Sequence, residues 1–463
     1  MKVLLAYPNA HKEIIGYMDM GAIAEPIALE YVAAGAALDG HEVRLLDLRL
    51  HREALEPTLL EFEPDVVAVT GYSMHVLRNL EICRRVKELL PGCRTAVGGH
   101  HATLEPVDYC EPEIDFVCMD EGVAAFRTIL GRLEAGESDP AVPGVWSRVD
   151  GAFWFGGKPE PYDANLLPHP LRTVVPEDRS HYFIDLMKPI ALMRTTVGCP
   201  YRCSFCSLWR IMDGRYYTRN VDDVVAELKD IPERHVHLAD DEPFVNGPRM
   251  KALAERIEAA GIDKEYYAYC RVDSFLRDGD LMKRWVDLGL RRLFFGIESV
   301  LERELLSYNK KQNLRQIVDA VRIAKGMGLG LFCGFIVNPS YTPEDFEELK
   351  RFIRTEGIDY PSFTVWTPIP GIADGGTDYS QVIARQPNGR PDWSQFDLQH
   401  ATIATRLPEQ EFMRLYHSLW EVSHFGAAVP PKPLAPPPMP DESAEALRNA
   451  AYIKIARRAL GGY

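Results

Sequence analysis

Three cysteines stand close together in the segment CPYRCSFC, at the spacing C-x3-C-x2-C: Cys199, Cys203 and Cys206. Thiolates on one loop at this spacing can converge on three corners of an iron–sulfur cluster, for which thiolates are the usual ligands. The alternatives are a zinc site or chance clustering, but a structural zinc site needs four protein ligands and the chain has no second CxxC pair. The spacing therefore predicts a [4Fe–4S] cluster with one iron left open for a substrate or cofactor.

The rest of the composition sets the class of protein. The chain has 463 residues, 46% of them hydrophobic, which predicts two to four globular domains. Nine cysteines, an odd number, argue against a disulfide framework. A net charge of −15 disfavours a nucleic-acid binder. The first residues lack a signal-peptide pattern and no apolar run has the ~18 residues of a transmembrane segment, so we expect a cytoplasmic protein.

The first part of the chain alternates strand-like and helix-like segments. Apolar runs such as Val3–Tyr7 and Asp65–Thr70 predict strands buried in a doubly wound, Rossmann-like parallel sheet. Ligands of such sheets bind beyond the carboxyl ends of the strands. Three of these ends carry glycine or polar residues: Thr70, Gly71, Tyr72 and Ser73; Gly98, Gly99 and His100; and Glu121 and Gly122.

A second α/β series begins near Ile190, directly before the cysteine segment. Six strand candidates alternate with helix candidates, which predicts a partial (β/α)6 barrel with its active site at the carboxyl ends of the strands. We predict domains over 1–135 and 186–375, joined by a linker over 136–185 with a small hairpin near Val145–Phe155. A small helical region over 376–463 should contain a helix at Pro408–His424, a proline-rich spacer over 429–440 and a helix at Asp441–Leu460.

The cysteine segment resembles that of the radical S-adenosylmethionine (SAM) superfamily, with Phe205 in the aromatic position of the C-x3-C-x-aromatic-C pattern. This resemblance implies that the open iron binds SAM, and that an electron from the cluster splits SAM into methionine and a 5′-deoxyadenosyl radical. It also implies that Phe205 lies near the adenine, whereas taken alone Phe205 is equally explained by core packing.

The same resemblance implies SAM contacts at other strand ends of the barrel. Asp240 or Asp241 would bind the SAM ammonium group, although the alternative is a solvated acidic turn that caps the next helix. Arg271 would pair with the SAM carboxylate, and Glu298 would contact the ribose or the methionine part.

A doubly wound domain ahead of such a barrel resembles the cobalamin-dependent radical SAM class, through the motifs TGYS at 70–73 and GGHHAT at 98–103. The resemblance implies that the crevice of the first domain holds the cobalamin nucleotide tail, with the corrin against the barrel mouth. The alternative is a flavodoxin-like or regulatory domain without a corrin.

Within that class, the stretch MKPIALMRTTVGCPYRCSFC looks most like the hopanoid C-3 methylase type. This implies methylation of an unactivated carbon of a small-molecule or lipid substrate, with cobalamin as methyl carrier and an electron donor such as flavodoxin or ferredoxin. Two alternatives are a cyclase or rearrangement enzyme with the same cofactors, and a cobalamin-binding sensor with a degenerate barrel. The intact cysteine triad argues against the sensor.

Many cobalamin proteins bind cobalt through the histidine of an Asp-x-His-x-x-Gly motif. His11 stands at that position, but Asn9 replaces the aspartate and Ile14 replaces the glycine. The carboxylate that would orient an imidazole ligand is therefore missing. We predict that His11 is an ordinary loop residue and that the lower face of cobalt meets the Tyr72–His75 loop without a strong bond.

Overall fold

Two separate β-sheets organise the chain, one in each half. The computed structural model describes residues 1–10, 22–159, 162–372 and 378–422. Helices alternate with strands in both halves, so the predicted α/β class is confirmed. His11 and the segments 429–440 and 441–460, on which predictions were made, lie outside the described residues.

The first half builds a seven-stranded sheet. The strands of this half are β1 (Lys2–Tyr7), β2 (Ala22–Ile23), β3 (Glu42–Asp47), β4 (Val66–Val69), β5 (Arg94–Val97), β6 (Phe116–Cys118), β7 (Val145–Val149) and β8 (Ala152–Phe155), and all except β2 belong to the sheet. Its helices are α1 (Ile27–Leu38), α2 (Leu55–Phe62), α3 (Val76–Leu89), α4 (His100–Leu104) and α5 (Gly122–Glu134). The order in the sheet is β3-β1-β4-β5-β6-β7-β8, with the first five strands parallel. Every residue of β4 is buried, as expected for a central strand covered on both faces.

The hairpin predicted near Val145–Phe155 is present, but it does not stand in a linker. Strand β7 pairs antiparallel with β6, and β8 pairs with β7. Residues 145–155 therefore extend the first sheet at one edge. The short strand β2, by contrast, leaves this sheet and pairs with Phe183–Ile184 beside the barrel.

The second half builds a six-stranded parallel sheet in the order β10-β13-β14-β15-β16-β17, which is the predicted number of strands. The strands of this half are β9 (Phe183–Ile184), β10 (Ile190–Met193), β11 (Thr196–Val197), β12 (Tyr217–Thr218), β13 (His235–Leu238), β14 (Glu265–Cys270), β15 (Leu290–Glu298), β16 (Gly330–Val337) and β17 (Tyr360–Val365). The helices are α6 (Leu208–Ile211), α7 (Val221–Asp230), α8 (Gly247–Ala259), α9 (Val272–Arg277), α10 (Gly279–Leu288), α11 (Glu302–Ser307), α12 (Leu314–Gly326), α13 (Pro343–Glu356) and α14 (Glu409–Ser418).

The segment after the barrel contacts both halves. Trp393 and Phe396 pack into the core of the first sheet, whereas Phe412 and Tyr416 pack into the core of the barrel. The helix predicted at residues 408–424 is confirmed over its first part as α14. No helix among the described residues is long and apolar enough to cross a bilayer.

One carboxylate closes the edge of the barrel next to the first half. Strand β10 is an edge strand, and the N–H of Leu192 donates to the Glu25 carboxylate at 2.5 Å. The carbonyl of Leu192 accepts from the Arg172 guanidinium at 2.6 Å. Buried backbone groups without partners cost free energy, so these contacts stabilise the edge. Because Glu25 lies just before α1, the same contacts join the two halves.

Glu25 belongs to a buried ionic cluster between the halves. Arg179 lies 2.8 Å from Glu25, 3.6 Å from Glu30 and 2.5 Å from Glu233. Burial, together with the neighbouring Glu25 carboxylate, raises the pKa of Glu30 to about 8. Arg172 and Arg179 lower it in part, but the neutral form of Glu30 remains favoured near neutral pH.

Glu30 makes the free energy of unfolding depend on pH. The pKa is about 8 in the folded chain against a usual value of 4.5, so the folded state holds the proton more tightly. The stability from this group is complete below pH about 4.5 and is lost as the pH rises through about 8. We expect Glu30→Gln to remove this loss and to be more stable than the parent protein above pH about 8, by roughly 1–3 kcal/mol. Urea unfolding of both proteins between pH about 4.5 and pH about 8 measures the difference. If Glu30→Gln had the same pH profile of stability as the parent protein, Glu30 would not be the source of the pH dependence.

Candidate active site

The carboxyl ends of the two sheets face each other. The order of the parallel strands in the first sheet reverses between β1 and β4, and open α/β sheets bind ligands at such a point. Tyr72 follows β4 there, and its side chain is 51% exposed. Tyr269, Arg194 and Asp241 of the barrel lie within electrostatic reach of its hydroxyl. The cleft between the sheets is therefore lined from both halves.

Aromatic and imidazole rings form the wall of the cleft on the first half. Tyr72 stacks on His100 with ring centroids 4.6 Å apart. The N–H of Tyr72 donates to Nδ1 of the buried His75 at 3.1 Å. Burial lowers the pKa of His75 and of His100 to about 4, so both rings are neutral near pH 7. Ser73 Oγ lies 2.9 Å from Nδ1 of His101, which fixes the other side of the same loop.

Two of the predicted glycines serve packing between loops. A Cβ at Gly71 would lie 2.7 Å from Cβ of His75, and one at Gly99, whose φ is +98°, would lie 2.8 Å from the backbone N of Gly71. Their lack of a side chain lets the loops after β4 and β5 touch, so packing between the loops is enough to require glycine at both positions. Gly98 meets only ordinary contacts, and a Cβ at Gly122 would have no described atom within 4 Å.

The remaining predicted residues of the first half have structural partners. The carbonyl of Thr70 accepts from Asn79 at 3.2 Å, which holds the end of β4. Glu121 caps helix α5, since its carboxylate accepts from the N–H of Val123 at 2.7 Å. A Cβ at Gly122 would meet open space and Tyr72 is half exposed, so this end of the sheet is accessible to a ligand. Contacts of cobalamin with these residues remain a proposal.

The cysteine loop lies between β11 and α6, at the carboxyl end of the barrel. The N–H of Ser204 donates to the carbonyl of Tyr308 at 3.1 Å, and Asn309 Nδ2 donates to the carbonyl of Arg202 at 3.1 Å. The ring of Phe205 packs edge-on against Tyr308, with centroids 5.1 Å apart. The loop is thus tied to the segment after α11, and Phe205 has a packing partner of its own.

The three thiols share one electrostatic environment. Burial raises the pKa of the Cys206 thiol to about 12, and Cys203 and Cys199 both add to that shift. Among the described residues, no three His, Cys, Asp or Glu side chains converge closely enough for a single metal ion. Three neighbouring thiols on one loop match the donor set of an iron–sulfur cluster with an open iron.

Two cations stand beside Cys203. Its Sγ lies 3.6 Å from Nη1 of Arg271. Burial raises the pKa of the Cys203 thiol, and both Lys310 and Arg271 oppose that shift. Positive charge stabilises a thiolate, which is the form that binds metal. The residues present therefore fit a [4Fe–4S] cluster, and Lys310 is a residue of this site that sequence reasoning missed.

Arg271 has a different set of partners from the one predicted. Its Nε donates to Asp273 at 2.8 Å, and its Nη2 donates to the carbonyl of Lys310 at 2.5 Å. The guanidinium also lies 3.8 Å from the ring centroid of Tyr201. All three guanidinium nitrogens are engaged within the protein, so Arg271 holds the cysteine loop in place, and the predicted SAM carboxylate would have to compete with Asp273.

The two aspartates after β13 have separate environments. Asp240 is buried and accepts from the N–H and hydroxyl of Thr195, at 2.6 Å each, and from the N–H of Thr196 at 2.8 Å. It therefore orders the start of the cysteine segment, and of the two predicted residues Asp241 is the better candidate for a SAM contact. Asp241 faces the cleft. Burial raises the pKa of its carboxyl group, and Arg194 opposes that shift in part.

Glu298 lies at a bulge of β15 and has a positive φ of 68°. Its carboxylate is paired with Lys310 Nζ at 2.5 Å. A Cβ at Gly296 would lie 2.3 Å from both Nζ of Lys310 and Oε1 of Glu298, so only glycine admits this pair across the strand. The unusual backbone conformation and the buried ion pair set Glu298 apart from an ordinary strand residue, as expected for a ligand-binding site.

Two further residues of the cleft escaped sequence reasoning. Glu242 is buried, accepts from the N–H of Arg271 at 2.7 Å, and has its pKa raised by burial to about 7. Arg194 lies within electrostatic reach of His100, Glu121 and Asp241. The signal for Arg194 was present, since it directly follows β10 and stands a few residues before Cys199.

The architecture defines the class: a cobalamin-type α/β domain that faces a partial barrel carrying three cysteines. The family model described as B12 binding domain matches residues 18–130, and the Radical SAM superfamily model matches residues 193–353. The hopanoid C-3 methylase of Methylococcus capsulatus is 30% identical over 419 residues, with 89% of this chain and 78% of that protein covered.

Two further similarities extend the comparison. The anaerobic magnesium-protoporphyrin IX monomethyl ester cyclase of Cereibacter sphaeroides is 25% identical, with 80% of this chain and 62% of that protein covered. The structure of the radical SAM methyltransferase TsrM from Kitasatospora setae, with cobalamin and a [4Fe–4S] cluster bound, has a TM-score of 0.68 at 16% identity. The match covers 99% of this chain and 98% of the TsrM chain, and it shows that the two share a fold.

The chain belongs to the cobalamin-dependent radical SAM methylase family. Its cofactors are accordingly a [4Fe–4S] cluster, SAM and cobalamin, as the sequence predicted. An enzyme of this family needs a reductant and a small-molecule substrate.

Proposed function

We propose that the protein methylates an unactivated carbon of an apolar small molecule or lipid, with carbon 3 of a hopanoid as the leading candidate. The observation that carries this proposal is the 30% identity with the hopanoid C-3 methylase over 89% of the chain. When bound, the cluster and SAM supply a 5′-deoxyadenosyl radical, and cobalamin supplies the methyl group.

Aromatic side chains inside the barrel support an apolar substrate. Tyr267 and Tyr269 of β14 pack edge-on with centroids 5.8 Å apart, and Tyr269 packs on Phe294 at 5.3 Å. His237 stacks on Tyr267 at 4.4 Å, and burial lowers its pKa to about 3, so the ring carries no charge. These uncharged rings give the barrel an apolar interior, which excludes water and favours a carbon-rich substrate.

We assign roles to the residues of the candidate active site as part of the same proposal. Cys199, Cys203 and Cys206 bind the cluster, and Phe205 lies along the adenine. Asp241 accepts a hydrogen bond from the SAM ammonium group, and Glu298, oriented by Lys310, contacts the ribose or methionine part. The loops that begin at Thr70, Gly98 and Glu121 surround cobalamin.

The two aspartates allow a matched test of the SAM site. We expect Asp241→Asn to weaken SAM binding by about tenfold, because a charge-assisted hydrogen bond is worth ~1.5–3 kcal/mol. Asp240→Asn should instead lower the melting temperature with a smaller effect on SAM affinity, because Thr195 and Thr196 are its partners. Equilibrium binding and thermal unfolding separate the two. Unchanged SAM affinity in Asp241→Asn would remove Asp241 from the site.

The proposed reaction consumes SAM in two roles, and its products can be counted. Anaerobic turnover with a hopanoid should release S-adenosylhomocysteine and 5′-deoxyadenosine in about equal amounts, with one CH₂ added to the substrate. Liquid chromatography with mass spectrometry measures all three. If both SAM products form only with a different lipid, methyl transfer stands and the hopanoid assignment is wrong.

A second candidate is a cyclase or rearrangement enzyme with the same cofactors. Similarity to the anaerobic magnesium-protoporphyrin IX monomethyl ester cyclase over 80% of the chain favours it. Such an enzyme would yield 5′-deoxyadenosine and a product without added CH₂. That result would favour this second function over methylation.

We further propose a cytoplasmic location and an electron donor of the flavodoxin or ferredoxin type. The donor follows from the proposed chemistry, because the cluster needs a low-potential electron for each radical. Replacing chemical reductant with reduced flavodoxin in the turnover assay tests the donor, and absence of any 5′-deoxyadenosine under that condition alone would exclude flavodoxin.

A further inference from the structure

Basic side chains are concentrated around the cysteine loop of an otherwise acidic protein. The whole chain has 52 basic and 67 acidic residues. Segments 198–215 and 306–311 together contain five basic residues and one acidic residue, Asp213. We call four of these basic residues the basic patch: Arg202, Arg210, Arg215 and Lys311. The fifth, Lys310, points inward to Glu298.

Contacts hold the first three members of the patch together. The guanidinium groups of Arg202 and Arg210 lie 5.2 Å and 4.2 Å from the ring centroid of Trp209. Nη2 of Arg202 lies 3.5 Å from where a Cβ of Gly214 would stand, directly beside Arg215. The three arginines thus cover one side of the loop that contains the cluster ligands.

The segment that carries Lys311 is tied to the same loop. Ser204 Oγ donates to the carbonyl of Ser307 at 2.9 Å, and Asn309 bonds to the carbonyl of Arg202. Arg202 and Lys311 are exposed, and Leu306 is 83% exposed at the edge of the patch. The surface beside the cysteines therefore combines exposed positive charge with one large exposed apolar side chain.

We infer that the basic patch docks an acidic electron-carrier protein that reduces the cluster. This inference rests on the proposed function, because only a redox-active cluster requires a donor. The net charge of −15 means that the protein as a whole repels an acidic partner, so a local group of basic side chains directs such a partner to this surface. Transient electron-transfer complexes bury small areas, so a few basic side chains and Leu306 are enough for recognition.

The test compares two double variants of equal charge change. Arg215→Glu with Lys311→Glu alters the patch but no residue assigned to the cofactors. Arg315→Glu with Lys251→Glu is the control, on exposed positions of α12 and α8. Stopped-flow absorbance follows reduction of the reconstituted cluster by reduced flavodoxin. We expect the patch variant to react about tenfold more slowly at low salt, with a weaker salt dependence, and the control to keep the parent rate.

Chemical reduction separates this inference from the proposed function. With dithionite, the cluster of both variants should be reduced at the parent rate, and both variants should cleave SAM at the parent rate. An equal loss of flavodoxin reactivity in the control variant, or no loss in the patch variant, would overturn the docking site. A loss of substrate affinity in the patch variant with normal flavodoxin reactivity would instead identify the patch as a site for an anionic substrate and overturn the inference. No SAM cleavage by the parent protein with dithionite would contradict the proposed function itself.

Discussion

Cys203→Ala is expected to abolish SAM cleavage while the chain still folds. Cys203 is the most buried of the three thiols and touches the guanidinium of Arg271 at 3.6 Å. Removing a cluster ligand should lower 5′-deoxyadenosine formation by more than about a hundredfold, since loss of an outer partner of a metal ligand alone costs ~10–100-fold. Iron and sulfide content, the visible absorption spectrum and 5′-deoxyadenosine formation measure the effect.

The matched control for this variant is Cys333→Ala. Cys333 is fully buried in the barrel core, away from the cysteine loop, so its replacement leaves a small cavity but keeps all three ligands. It should lose about 1 kcal/mol of stability and retain the cluster. Loss of iron in Cys333→Ala, with retention in Cys203→Ala, would show that the ligand assignment is wrong. Far-ultraviolet circular dichroism confirms that both variants are folded.

Glu25→Ala is expected to destabilise the protein by about 3–5 kcal/mol. The carboxylate is buried, accepts from the N–H of Leu192 at 2.5 Å and pairs with Arg179 at 2.8 Å. Its removal leaves the buried Arg179 guanidinium and the N–H of Leu192 without their partner. Leaving a buried charge unpaired costs more free energy than the intact ion pair contributes. Urea unfolding gives the change in free energy. Because the halves meet here, a separate transition for each half is also expected.

Two other replacements calibrate this effect. Glu25→Gln retains an acceptor for Leu192 and should lose less stability than Glu25→Ala. Glu61→Ala removes an exposed ion pair with Arg44, at 3.0 Å, and should change stability by less than about 1 kcal/mol. If Glu25→Ala were as mild as Glu61→Ala, the buried carboxylate would not join the two halves.

Both sheets and the cofactor set were predictable from the sequence because their signals are local. The cysteine spacing is contained in eight consecutive residues, and the buried strands, such as Val66–Val69, are continuous apolar runs. The alternation of strand and helix determines parallel pairing, because parallel neighbours require a crossover. These features do not depend on how distant segments meet.

The roles of individual polar residues were decided by the tertiary structure. Asp240 and Asp241 are adjacent and chemically identical, but one bonds to Thr195 and the other faces the cleft. Lys310 stands beside Cys203 only because the segment after α11 folds across the cysteine loop. Glu25 reaches Leu192 across 167 positions of the chain. Such partners depend on long-range packing, which determines burial and hence the charge each group carries, and no local pattern of residues encodes it.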